Sequence, residues 1–80
     1  MVYTLQLIAK EERRTFPVVV WQNIYRSKEK AYNDFYLFEE NYNLAPATFV
    51  DGSSKRSTGV INMAGRNAYV SLVLNSTEIF

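Results

Sequence analysis

The spacing of the apolar residues changes twice along this chain, and that change limits the fold more than any other feature. Over residues 2–9 apolar and polar side chains alternate, with Tyr3, Leu5 and Leu7 on one side. This period is typical of a strand with one buried face. Over residues 28–42 the spacing widens to that of a helix, and over residues 60–74 it returns to alternation. The chain is therefore predicted to place strands on both sides of one helix.

A second β-branched stretch, residues 18–25, follows the charged segment 10–15 and the pair Phe16-Pro17. Consecutive strands joined by a short loop usually pair antiparallel, so we expect a hairpin. Both sides of this strand are apolar, with Val18, Val20 and Ile24 on one side and Val19, Trp21 and Tyr25 on the other. A helix covers only one face. The other side is expected to be covered by the next long loop, by Ile79 and Phe80, or by another protein chain.

The helix is predicted over residues 28–42. Ser27 is a favourable N-cap, and Glu29 lies in the first turn, where the helix dipole stabilises a carboxylate. Steps of four, three and four residues place one apolar stripe along the helix, formed by Ala31, Phe35, Phe38 and Tyr42. We expect this stripe to pack on the sheet.

The C-terminal half is predicted to begin with the longest loop, residues 43–59, which is basic over 53–58 and holds a short extended piece at 47–50. Residues 60–64 and 68–74 flank Gly65-Arg66-Asn67 and predict a second hairpin. The expected fold class is α+β in the order ββαββ, with an antiparallel four-stranded sheet and one helix packed on one face. A chain of 80 residues is expected to form one small globular domain, 1–80.

The composition argues against catalysis. The chain has no His and no Cys, which removes the commonest general base and the soft metal ligands. Its adjacent carboxylates, Glu11-Glu12 and Glu39-Glu40, point apart and do not aim two oxygens at one reacting atom. We therefore expect no enzyme activity, no cofactor and no metal.

The lack of Cys favours a reducing compartment, and no segment has the pattern of a signal peptide or a membrane span. We expect an intact cytoplasmic protein without a membrane partner or a small-molecule substrate.

Aromatic residues suggest where a partner would bind. Tyr is enriched at the centres of protein interfaces. The first hypothesis is a non-catalytic protein-binding module: a homo-oligomer, or a small inhibitor or regulator of the phage or mobile-element type that docks on a larger protein. Its expected contact residues are Trp21, Tyr25, Tyr32, Tyr36 and Leu37. The alternative is that these rings only cover the rim of the sheet.

A second hypothesis is nucleic-acid binding. Here Lys55, Arg56 and Arg66 would contact phosphates, and Tyr69 with Trp21 would stack on bases. A net charge of +1 and an acidic helix end count against this hypothesis, because nucleic-acid binders usually carry a basic face.

Overall fold

A computed structural model describes residues 1–45, 48–51, 54–63 and 65–77, without the side chains of 48–51 and 63. Its elements are β1 (Val2–Glu11), β2 (Val18–Tyr25), α1 (Lys28–Asn41), β3 (Thr48–Asp51), β4 (Ser54–Met63) and β5 (Arg66–Thr77). The ββαββ order is confirmed, with one short strand added between the helix and the last hairpin. Ile79 and Phe80, which we expected to cover β2, lie outside the described residues.

All strands pair antiparallel in one sheet of order β2-β1-β5-β4-β3. The four long strands give the predicted four-stranded arrangement, and β3 extends it at one side. β1 and β5 are central and pair along the full length of β1, from Val2 opposite Thr77 to Glu11 opposite Ala68. The other long strand of the first hairpin, β2, therefore lies at the edge of the sheet.

The short extended piece predicted at 47–50 corresponds to β3, which pairs with β4. The loop predicted over 54–59, with its basic part, is wrong, because these residues belong to β4, which pairs with β5. The hydrophobic period missed the first half of β4 because that half has no apolar residue. The positions of that half that face the helix are Lys55 and Ser57, and they contact helix side chains through polar groups.

The helix packs on one face of the sheet and buries a single core. Phe35, Leu5 and Leu72 are fully buried there. The predicted stripe is buried at Ala31 and Phe35, but Phe38 is only half-buried and Tyr42 is exposed. The stripe loses burial because Phe38 lies over Trp21 of the edge strand, with ring centroids 4.6 Å apart, and Tyr42 stacks on Phe38 farther out.

Both helix ends are capped locally. The Ser27 hydroxyl accepts a hydrogen bond from the Lys30 N–H at 3.4 Å. At the C-terminal end Asn43 adopts φ 53°, and the Leu44 N–H donates to the Glu39 carbonyl at 2.9 Å, as in a Schellman motif. Leu44 then turns inward over Gly59, where a Cβ would stand 2.7 Å from the Leu44 Cδ2. The absence of a side chain at Gly59 thus allows the chain to return to the sheet.

We predict that Phe35→Ala lowers the free energy of unfolding by about 3–5 kcal/mol, because it leaves a cavity at the centre of the core. Leu37→Ala is the matched control on the same helix: its side chain is 55% exposed, so the change should stay within about 0.5 kcal/mol. Urea denaturation of the three proteins measures both values. Equal losses for the two variants would mean that Phe35 does not form the core.

Candidate functional site

Polar side chains fasten the helix to the sheet at both flanks. On the β2 side, the Tyr25 hydroxyl donates a hydrogen bond to the Asp34 carboxylate. On the β4 side, the Ser57 hydroxyl donates to the Glu39 carboxylate, and Lys55 Nζ donates to the Tyr36 hydroxyl. Ser57 is 1% exposed, so Glu39 supplies the partner that a buried hydroxyl needs. These carboxylates hold the fold and are not aimed at an open cavity.

Burial raises the pKa of Tyr25 above its usual value of 10.0. The hydrogen bond to Asp34 and the negative charge of that carboxylate raise this pKa further, whereas the hydrogen bond with Asn23 opposes them. Burial and the neighbouring carboxylate both disfavour the charged tyrosinate, which is why the pKa rises. Tyr25 is thus a neutral donor in the folded chain and not an acid for chemistry.

The expected partner-contacting residues do not form one surface. Tyr25 is buried, so it cannot contact a partner, and this corrects our expectation for that residue. Its hydroxyl turns inward because Asp34 accepts its hydrogen bond. Trp21 is half-buried against the helix and not beneath a loop. Both rings belong to the contact between sheet and helix.

The helix tyrosines are grouped around cations. Lys55 Nζ lies 4.4 Å from the Tyr36 ring centroid and 5.3 Å from that of Tyr32, and Lys28 Nζ lies 5.5 Å from Tyr32 on the other side. Such contacts stabilise the rim of a fold. Tyr32 is half-buried, and Tyr36 and Leu37 are 48% and 55% exposed. Of the predicted set, only Tyr36 and Leu37 remain as an exposed pair.

The predicted nucleic-acid residues are also divided between surfaces. Lys55 lies on the helix side of the sheet, and Arg66 stands at the hairpin end, 3.9 Å from Glu11. Arg56 and Tyr69 lie on the opposite side, which we call the open face. Strand register gives the members of the open face on the four long strands as Val2, Thr4, Gln6, Ile8, Lys10, Val19, Gln22, Ile24, Ser54, Arg56, Thr58, Val60, Asn62, Asn67, Tyr69, Ser71, Val73, Asn75 and Thr77.

The most exposed apolar surface is at the start of the edge strand. The exposed fractions are 77% for Phe16 and 51%, 46% and 52% for Val18, Val19 and Val20. We call this group the hairpin edge. A bulge between Leu7 and Ile8 pairs those residues with Trp21 and Val19, so Val20 has no cross-strand partner on β1. Phe16, Val18 and Val20 line an open groove of about 230 Å³ together with Ala9, Glu11 and Arg14.

The outer side of β2 pairs with no strand in the part of the chain that the structure describes. Long edge strands are normally protected by charges, prolines or bulges, because free backbone groups attract other strands. β2 has a bulge at Val20, but all eight of its residues are uncharged. In its C-terminal half the Asn23 side chain accepts a hydrogen bond from the Ile24 N–H at 3.0 Å. The exposed valines of β2 lie in the other half, and we take Val18–Trp21 as the open stretch.

Sequence reasoning found the apolar character of β2 on both sides but did not single out the hairpin edge. The missing information was the position of β2 in the sheet. The position of β2 follows from the pairing of β1 with β5. Because β5 is distant from β1 in the sequence, no local pattern of residues indicates this pairing.

Comparison with protein-family models, curated proteins and solved structures found no match for this chain. Among the described residues, no three Asp or Glu side chains come together as a metal-ligand set. In the same ranges, no helix combines the length and the apolar character required to cross a bilayer.

We predict that Tyr25 makes stability depend on pH above about 10. Below that pH both states keep the phenolic proton, and the contribution is complete. Above it the unfolded chain releases the proton first, so the free energy of unfolding falls until the folded tyrosine also ionises. Urea denaturation at pH 7, 9 and 10.5 should give a steeper loss for the wild type than for Tyr25→Phe. Parallel losses would contradict this assignment.

Proposed function

We propose that this chain is a non-catalytic protein-binding module that binds a partner protein through the hairpin edge. The observation that carries the proposal is the run of exposed apolar side chains, Phe16 and Val18–Val20, on an edge strand. Single exposed apolar residues are ordinary on protein surfaces, but neighbouring ones on one surface, as Phe16, Val18 and Val20 are in the groove, mark interaction sites.

Two kinds of interaction are available at the hairpin edge. Covering a half-exposed valine is worth roughly 1 kcal/mol, and the hairpin edge offers three of them beside a phenylalanine. The backbone of Val18–Trp21 can also hydrogen-bond to an added strand, a common mode of protein recognition. Together they supply apolar area and directional contacts.

A binding role of this kind suits a small inhibitor or regulator. Covering the surface of another protein needs no general base, nucleophile or metal, and the carboxylates Asp34 and Glu39 are already used to hold the helix. The exposed pair Tyr36 and Leu37 is a smaller apolar area on the helix, and we assign it to the rim of the fold because Lys55 contacts the Tyr36 ring.

Substitution at the hairpin edge tests the proposal. Val19→Lys places a charge on the edge strand, and Val60→Lys is the matched control, because Val60 is an exposed valine on β4 with a fraction of 56%. The free energy of unfolding of both variants should stay within about 0.5 kcal/mol of the wild-type value. We expect partner proteins captured from cell extract, quantified by mass spectrometry, to be lost with Val19→Lys and retained with Val60→Lys. Capture that Val19→Lys leaves unchanged would contradict the proposal.

The open face favours a second candidate function, the binding of single-stranded nucleic acid. Its described side chains on the four long strands include Lys10 and Arg56 but no carboxylate. Tyr69 lies opposite Lys10 in the β1–β5 register and is 56% exposed, so a base can stack on it. Two cations are few for such a surface, and this candidate ranks below protein binding.

A labelled 12-mer oligonucleotide followed by fluorescence anisotropy tests this second candidate. Two phosphate contacts predict that affinity falls by about 1.4 log units for each tenfold rise in salt. The double variant Lys10→Ala with Arg56→Ala should abolish binding, and Lys28→Ala with Lys30→Ala, two exposed lysines of the helix, should not. Absence of binding by the wild type at 50 mM salt would remove this candidate.

A further inference from the structure

We infer that the partner on the hairpin edge is a second copy of this chain, with the two β2 strands antiparallel across a two-fold axis. This inference rests on the proposed function, because it names the occupant of the same surface. Three features of the described residues support it: the lack of charge along β2, the apolar character on both sides of that strand, and the amount of surface that the single chain leaves exposed.

Charge is the first feature. In a two-fold contact a surface meets its own copy, so any charged residue near the axis approaches a like charge. From Phe16 to Tyr25 the chain carries no charged residue. Arg14 lines the groove beside Val18 and Val20, where its Nε is 3.4 Å from a Glu11 carboxylate oxygen. A neutral strand, with the neighbouring arginine already paired to a carboxylate, is compatible with self-pairing.

The two sides of β2 supply the second feature. Val19 pairs with Ile8 and lies on the open face, whereas Val18 and Val20 line the groove beside Ala9. When two copies meet along Val18–Trp21, each valine finds apolar side chains of the other copy on its own side of the joined sheet. The contact thus covers both sides of the strand at once, which a flat partner surface does not do.

Exposed area is the third feature. A compact monomer of this mass has about 5,000 Å² of accessible surface, whereas this chain has 5779 Å². The excess, about 800 Å², equals what each partner contributes to a standard interface. The radius of gyration is likewise 13.0 Å, against about 11.6 Å for a compact chain of this length. The single chain has the exposed area that a dimer needs to cover.

Sedimentation velocity of the purified full chain from about 5 to 500 µM tests the inference. The wild type and the Val60→Lys control should sediment as dimers over most of this range. Val19→Lys should weaken dimerisation at least about 30-fold, because each dimer then holds two buried lysines near its axis. Val20→Lys is the second variant at the hairpin edge and should act likewise. Circular dichroism melts of all four proteins establish that each is folded.

Two results would overturn the inference. One is a wild type that remains monomeric at 500 µM. The other is a dimer that persists in both folded edge variants, which would place the contact elsewhere. The proposed function is tested separately. If the wild type is monomeric and its capture of other proteins is lost with Val19→Lys, the hairpin edge binds a foreign partner and only the inference of self-association fails.

Discussion

One helix packs against a sheet that is longer than the helix, and this difference in length determines which surfaces of the sheet are covered. α1 has 14 residues and is about 21 Å long, whereas β1 has ten residues and spans about 33 Å. The helix therefore covers the central part of one face, where Phe35 is fully buried. The far end of the first hairpin and the whole open face lie beyond its reach. Those uncovered areas are where binding can take place.

Two carboxylates of the helix hold it on the sheet. Asp34 accepts a hydrogen bond from β2 and Glu39 accepts one from β4, so the helix is fixed across the strands on either side of Phe35. Asp34 and Glu39 thus have a structural role in this fold. Because the pairing of β1 with β5 leaves β2 at an edge with its apolar residues exposed, the fold itself supplies the proposed binding surface.

Local sequence patterns predicted the bounds of β2 and α1 closely. β2 has the predicted bounds, and α1 ends one residue earlier than predicted because Tyr42 is its C-cap. The first half of β4 was missed because Lys55 and Ser57 take inward positions that apolar residues usually hold, and their polar partners on the helix are distant in sequence. The predicted aromatic surface failed at Tyr25 for the same reason, since its partner Asp34 becomes a neighbour only after folding. The sequence showed that β2 is apolar on both sides, but its exposure depends on the strand order, which places β2 at the edge of the sheet.

Amide hydrogen exchange along β2 at low and high protein concentration shows whether a second copy pairs with the hairpin edge, because it reports on the backbone there. We expect protection of Val18–Trp21 to rise with concentration, while the amides of β1 and β5, already paired within the chain, stay constant. Exchange of Val18–Trp21 that is the same at about 5 and 500 µM would contradict the claim that a second copy occupies the hairpin edge.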